Sequence, residues 1–105
     1  MIRAFAAAAL CCLALPALAN DYSITIDNRA SQAVDRVNTY PVDADGDAVE
    51  DNLGNTGDIA PGTKGRFAVD VDKCRLVRVY IGMANGKELD ADVNLCKGNT
   101  IVVTD

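Results

Sequence analysis

Five carboxylates fall within nine residues, at Asp43, Asp45, Asp47, Glu50 and Asp51, with no base among them. Alternating Asp around a Gly, here Gly46, is how calcium loops offer several oxygen ligands from flexible backbone. The ligand chemistry this segment could support is therefore weak divalent-cation binding, with Ca²⁺ as the one cofactor candidate. The EF-hand template is not met, however. Counted from Asp43, Gly46 stands at position 4 where the template needs position 6, and position 12 is Gly54, not an acid. A solvated acidic turn is the simpler reading of the same residues.

Directly after it, Lys64, Arg66, Lys73, Arg75 and Arg78 place five bases in fifteen residues. They could meet an anionic glycan or an acidic protein, but Asp70, Asp72 and Asp92 are near enough in sequence to neutralise them within the fold. Catalysis has little to work with. The chain has no His, the commonest general base and metal ligand. Paired carboxylates hydrolyse sugars only across a cleft, and nothing in the pattern builds one. Tyr22, Tyr40, Tyr80 and Phe67 read as core or rim, not as a stacking platform. The expectation is a non-enzymatic protein with no catalytic residues.

The elements that must position these residues follow from hydrophobic period, which is two and not 3.6. Tyr22, Ile24 and Ile26 alternate with polar residues up to Asp27-Asn28. Phe67, Val69 and Val71 alternate with Ala68, Asp70 and Asp72, and Leu89, Ala91, Val93 and Leu95 with Asp90, Asp92 and Asn94. Each is a strand with one buried face. Val34 to Tyr40 and Ile101 to Val103 supply two more, and the nearly continuous run Leu76 to Met83 suits a central strand. Pro61-Gly62 fits the middle of a type II turn, Asn85-Gly86 is a hairpin signal, and Lys97-Gly98-Asn99 offers the last turn.

The Asn85-Gly86 hairpin also constrains register. A two-residue loop would set Val77 against Asn94 and Val79 against Asp92. A three-residue loop, Ala84-Asn85-Gly86, sets Val77 against Val93, Val79 against Ala91 and Ile81 against Leu89. It also brings Arg78 opposite Asp92, an attractive cross-strand pair, and Cys74 opposite Cys96. Buried face, ion pair and cysteines all select the second register, with Gly86 at positive φ in a bulged turn.

Those two cysteines are the ones that remain if the N-terminus is removed. Arg3 precedes an Ala- and Leu-rich run from Ala4 to Leu15; Pro16 ends the run, and Ala17-Leu18-Ala19 supplies an A-x-A site. These are the parts of a secretory signal peptide, residues 1–19, with cleavage between Ala19 and Asn20. The apolar run is too short for a spanning helix, which needs ~20 residues. The single domain expected over residues 20–105 has nine bases against fifteen acids, a net charge of −6. That sign argues against nucleic acid and against adhesion to an anionic membrane. A domain of this size buries only roughly 60–65% of its unfolded surface, so a staple is expected. Closing 23 residues between Cys74 and Cys96 contributes on the order of 3 kcal/mol.

The chain further shows Ile24-x-Ile26-x-Asn28, then Tyr40-Pro41, Glu50-Asp51-Asn52-Leu53-Gly54 and Ile59-x-Pro61-Gly62. Cys74-x-x-Val77-Arg78-Val79 and Asn94-Leu95-Cys96 complete the order. This series resembles a group of small exported bacterial β proteins of unknown function. They share a strand ending in Asn, a Tyr/Pro segment, a Gly-Glu-Asp-x-Leu-Gly loop, a Pro-x-Gly turn and a Cys…Leu-Cys strand pair. The group has a Trp just before its Gly-Glu-Asp; here Ala48-Val49 stand there and the chain has no Trp. The resemblance implies a compact β domain in the periplasm.

Together these readings predict an all-β, small antiparallel β-sandwich or barrel of about six strands with one disulfide, periplasmic or secreted. Its expected role is a non-enzymatic binding or interaction module of unknown specificity, with another protein as the candidate partner. The alternatives are a cation-binding protein built on residues 43–51 and, less favoured, a secreted hydrolase inhibitor.

Overall fold

The computed structural model describes residues 22–105; the signal sequence and the Ala19–Asn20 cleavage site lie outside them. Seven strands form: β1 Tyr22–Asn28, β2 Val34–Pro41, β3 Gly54–Ile59, β4 Lys64–Val69, β5 Leu76–Met83, β6 Glu88–Asn94 and β7 Thr100–Val103. They make two sheets, one of order β4-β1-β7 and one of order β3-β2-β5-β6. The fold is a sandwich. β5 is an inner strand, as its near-continuous apolar run requires.

The alternating residues meet in one core. Ile24 and Ile26 from β1, Val34 and Val37 from β2, and Val77 and Val79 from β5 are wholly buried, with Phe67, Val69, Ile81 and Val103 packed among them. Each such aliphatic side chain contributes about 1.5–3 kcal/mol of transfer free energy. β2 keeps its apolar side inward through a bulge between Val34 and Arg36. The bulge shifts the alternation by one, so that Val37, Thr39 and Pro41 face the core while Arg36, Asn38 and Tyr40 face out.

Two features depart from the expected fold. The strand count is seven, because Gly54–Ile59 pairs with β2 as an edge strand. And one pairing is parallel: β7 lies alongside β1, bringing opposite ends of the described chain together. All other pairings are antiparallel. The sandwich is closed at the β3–β4 corner, where Asp70 N donates to Leu53 O at 2.8 Å.

The β5–β6 hairpin has the register chosen by its three-residue loop. Val77 pairs with Val93, Val79 with Ala91, Ile81 with Leu89 and Arg78 with Asp92. Met83 N donates to Lys87 O and Gly86 N to Met83 O, with Gly86 at φ +89°. At the open end Leu95 N donates to Arg75 O, extending the ladder by one pair. Cys74 and Cys96 then bridge with Cα atoms 4.9 Å apart. Gly62, at φ +78°, and Thr63 N donating to Ala60 O make the type II turn at Pro61-Gly62. The last turn begins earlier than Lys97, because Asn94 O accepts from both Lys97 N and Gly98 N.

Among the described residues no helix is long and apolar enough to cross a membrane. That fact and the disulfide are compatible with an extracellular location.

Candidate binding face

The acidic segment forms a closed turn between β2 and β3. Asp43 Oδ1 accepts from the backbone N–H of both Asp45 and Asp47, each at 2.9 Å. Asp43 N donates back to Asp47 O, Gly46 takes φ +85°, and Val42 bridges to Ala48. The Asp43 carboxylate is thus already engaged by the turn's own backbone. Among the described residues, no three of the Asp, Glu and Cys side chains are grouped to hold a metal ion. The structure does not bring Asp43, Asp45, Asp47, Glu50 and Asp51 together around one point.

The bases are likewise dispersed. Arg66 Nε donates to Ser23 Oγ at 3.0 Å on the three-stranded sheet, and Arg75 reaches Val42 O at 3.4 Å. Arg78 makes a two-pronged bond to Asp92, Nε to Oδ1 at 2.7 Å and Nη2 to Oδ2 at 3.1 Å. That bond holds the Asp92 carboxyl below its ordinary range and raises Arg78 further above its own.

What the fold does assemble is the outer face of the four-stranded sheet. Even-numbered residues of β5 point out, so Leu76, Arg78 and Tyr80 form one row, flanked by Asn38 and Tyr40 of β2 and by Asp90 and Asp92 of β6. Tyr40 and Tyr80 meet edge to face, ring centres 5.7 Å apart at 64°, a favourable quadrupole arrangement. Gly82 lies between Arg36 and Glu88 in the same row. A Cβ there would come 2.8 Å from Arg36 Cζ, so the bare glycine lets the guanidinium cross the sheet in this position to Glu88 at 3.2 Å. At the other border Asn52 Nδ2 donates to Asn38 Oδ1.

Tyr80 divides this face into two hollows. One, of about 210 Å³, is lined by Tyr40, Ala48, Val49, Glu50 and Tyr80. The other, of about 90 Å³, includes Arg36, Asn38, Gly82 and Glu88. Val49, Leu76 and Tyr80 are 42%, 39% and 39% exposed. The face carries phenols, amides and charge-paired guanidinium groups, with no free thiol.

The Arg78–Asp92 pair was readable from the sequence; the tyrosines were not. Of the aromatics read as core or rim, Phe67 is core, whereas Tyr80 stands on the outer face, 39% exposed. The signal was the alternation itself: if Val77, Val79 and Ile81 are buried, Tyr80 must share the face of Arg78. Fold and face together define a disulfide-stapled β-sandwich with an aromatic, arginine-framed outer sheet. No protein-family model matches the chain, and neither does any curated protein or solved structure.

Proposed function

We propose that this chain is an exported, non-enzymatic module that recognises another protein through the outer face of its four-stranded sheet. One observation carries the reading. Of the four large apolar side chains that stand exposed among the described residues, three (Val49, Leu76 and Tyr80) lie on this face, beside two arginines held in place by carboxylates. The solvated side of a sandwich sheet is ordinarily polar, whereas protein interfaces concentrate Tyr and Arg at their centres inside a polar rim. Export is supported by the A-x-A pattern at Ala17–Ala19, by the disulfide and by the resemblance to small exported bacterial β proteins. In that resemblance Ala48-Val49 stand where relatives have Trp and Gly before Glu-Asp, which leaves Tyr40 and Tyr80 as the aromatic part of the surface.

The test compares the immobilised chain with its Tyr80→Ala variant against periplasmic extract, after circular dichroism has shown both to be folded. At least one protein should be retained by the parent and lost by Y80A. An identical set on both columns, or nothing on either, would overturn the reading.

A further inference from the structure

We infer that the hollow between Tyr40 and Tyr80 receives an arginine side chain of the partner protein, its guanidinium against the rings and its fork on the Glu50 carboxylate. The inference rests on the face proposed above and names the anchor that this face takes. Five residues line the hollow: Tyr40, Ala48, Val49, Glu50 and Tyr80. Two rings inclined at 64° that border one hollow make a corner, not a closed stack, and Tyr80 remains exposed within it. A tyrosine ring attracts a cation held over its face within about 6 Å of the centroid. Glu50 is the charged side chain among the five, and it makes no salt bridge among the described residues.

The bases of the fold are engaged elsewhere. Arg78 lies opposite Tyr40 in the β2–β5 ladder, but its Nε and Nη2 both bond Asp92, which meets its charge. Arg36 is drawn to Glu88 beside the other hollow. Arg75 reaches the foot of the acidic turn at Val42 O and does not line the hollow. Each arginine of this face thus has a carboxylate, while the Glu50 carboxylate has no base. The segment that carries Glu50 there is the turn itself, whose residues 43–51 hold five carboxylates and no base. Val49 N donates to Pro41 O at 2.9 Å and fixes the end of that turn against β2. The field at the hollow's border is therefore negative, which disfavours an acidic occupant. An apolar occupant would cover Glu50 and leave its charge unpaired, at a desolvation cost that a cation offsets.

Between the two common cations the chemistry selects arginine. A guanidinium is planar, stacks on aromatic rings and offers its N–H donors in a fork that matches one carboxylate. A single carboxylate beside two rings presents both halves of that recognition. An ammonium is a more strongly hydrated point charge and gives up more on leaving water. The fitting partner therefore presents an exposed arginine, with charge complementary to the acid-rich turn that borders the hollow.

The probe is the blocked tripeptide acetyl-Gly-Arg-Gly-amide, titrated at low salt into the ¹⁵N-labelled chain. Saturable shifts should map to Tyr40, Ala48, Val49, Glu50 and Tyr80. The same peptide with citrulline for arginine keeps the shape and loses the charge; it should bind roughly three- to fivefold more weakly, with the lysine peptide between the two. Glu50→Gln should weaken the arginine peptide by a similar factor. Asp45→Asn removes a charge from the same turn at a residue that does not line the hollow, and should change the affinity less than about twofold. Both side chains are exposed, so neither change disturbs the core. Equal affinity for the citrulline peptide, or tighter binding of the lysine peptide, would overturn the inference. So would equal weakening by D45N and E50Q, which would give the binding to the turn's diffuse field. An arginine peptide that shifts nothing, while Tyr80→Ala still releases a retained protein, would remove this anchor and leave the face as an interface. Saturable arginine binding with nothing retained from extract would count against the protein partner and not against the hollow.

Discussion

Asn28 and Thr39 are both buried polar side chains, and they resolve the cost of burial in opposite ways. Asn28 Nδ2 donates to Gln32 O at 2.9 Å and Ile59 O at 3.0 Å, while its Oδ1 accepts from Ala30 N. It ties the end of β1 to the end of β3, a physical reason for an Asn at the end of that strand. Thr39 is wholly buried on the inward side of β2, and its Oγ1 has no partner among the described residues. A buried hydroxyl left unbonded costs about 1–3 kcal/mol. Thr39→Val keeps the shape and removes that cost, so thermal unfolding should shift upward by about 1 kcal/mol, or roughly 4–8 °C for a domain this small. A lower midpoint would mean that the hydroxyl is bonded after all. At the surface, Asp92 gives a pH-dependent counterpart. Its carboxyl is depressed below 3.8 by the Arg78 bond, so its contribution is complete above the unfolded value. That contribution is lost as pH falls through the lower folded value. A carboxyl NMR titration should place Asp92 below the ordinary carboxylate range, and Arg78→Met should return it to that range. No movement on that substitution would assign the depression to another cause.

At the scale of elements, the six strands with alternating apolar residues were legible and the seventh was not. β3 reads Gly-Asn-Thr-Gly-Asp-Ile, with one apolar residue and no period to detect. Its glycines are there for packing. A Cβ on Gly54 would overlap the Ala68 carbonyl at the β3–β4 corner, and one on Gly57 would sit 2.5 Å from Asp35 O. Close backbone approach thus erased the pattern by which strands are recognised. The β5–β6 register was legible because loop length, the Arg78–Asp92 pair and the cysteines constrain one variable together. The Tyr40–Tyr80 contact depends instead on the β2–β5 register, which a bulge displaces and no turn specifies, so the binding face could be seen only in part. The hairpin carries a further expectation. Because its register rests on buried pairs as well as on the staple, the double change Cys74→Ser, Cys96→Ser should lower stability by about 3 kcal/mol without moving Val77 from Val93. Denaturant melts give the first quantity and cross-strand NOEs the second. A rearranged hairpin would show that the disulfide sets the register rather than locking it.

Across the whole molecule the sandwich is shut on one side and open on the other, an asymmetry no single segment of sequence contains. At the closed corner Asp70 bonds Leu53, Asn28 bonds Ile59, and Gly62 N donates to Asn28 O at 2.7 Å, so the two sheets share backbone partners. At the open side β6 and β7 each end a sheet, with no further strand beside them among the described residues. Stability should be distributed accordingly, since elements open locally in proportion to what covers them. Amides of Ile24 and Ile26 in β1, Val37 in β2 and Val79 in β5 lie in inner strands around fully buried side chains. They should exchange only through global unfolding, with protection of roughly ten-thousand-fold or more for a domain stable by about 5 kcal/mol. In β7 the amides of Ile101 and Val103 bond to β1 and should be protected to an intermediate degree. The Val102 amide, one residue between them, should exchange nearly as fast as an unstructured peptide. That alternation within four residues is the signature of a paired strand with one bare edge, and local fraying of β7 would not produce it. Fraying would expose Ile101, Val102 and Val103 alike, whereas a covered edge would protect all three.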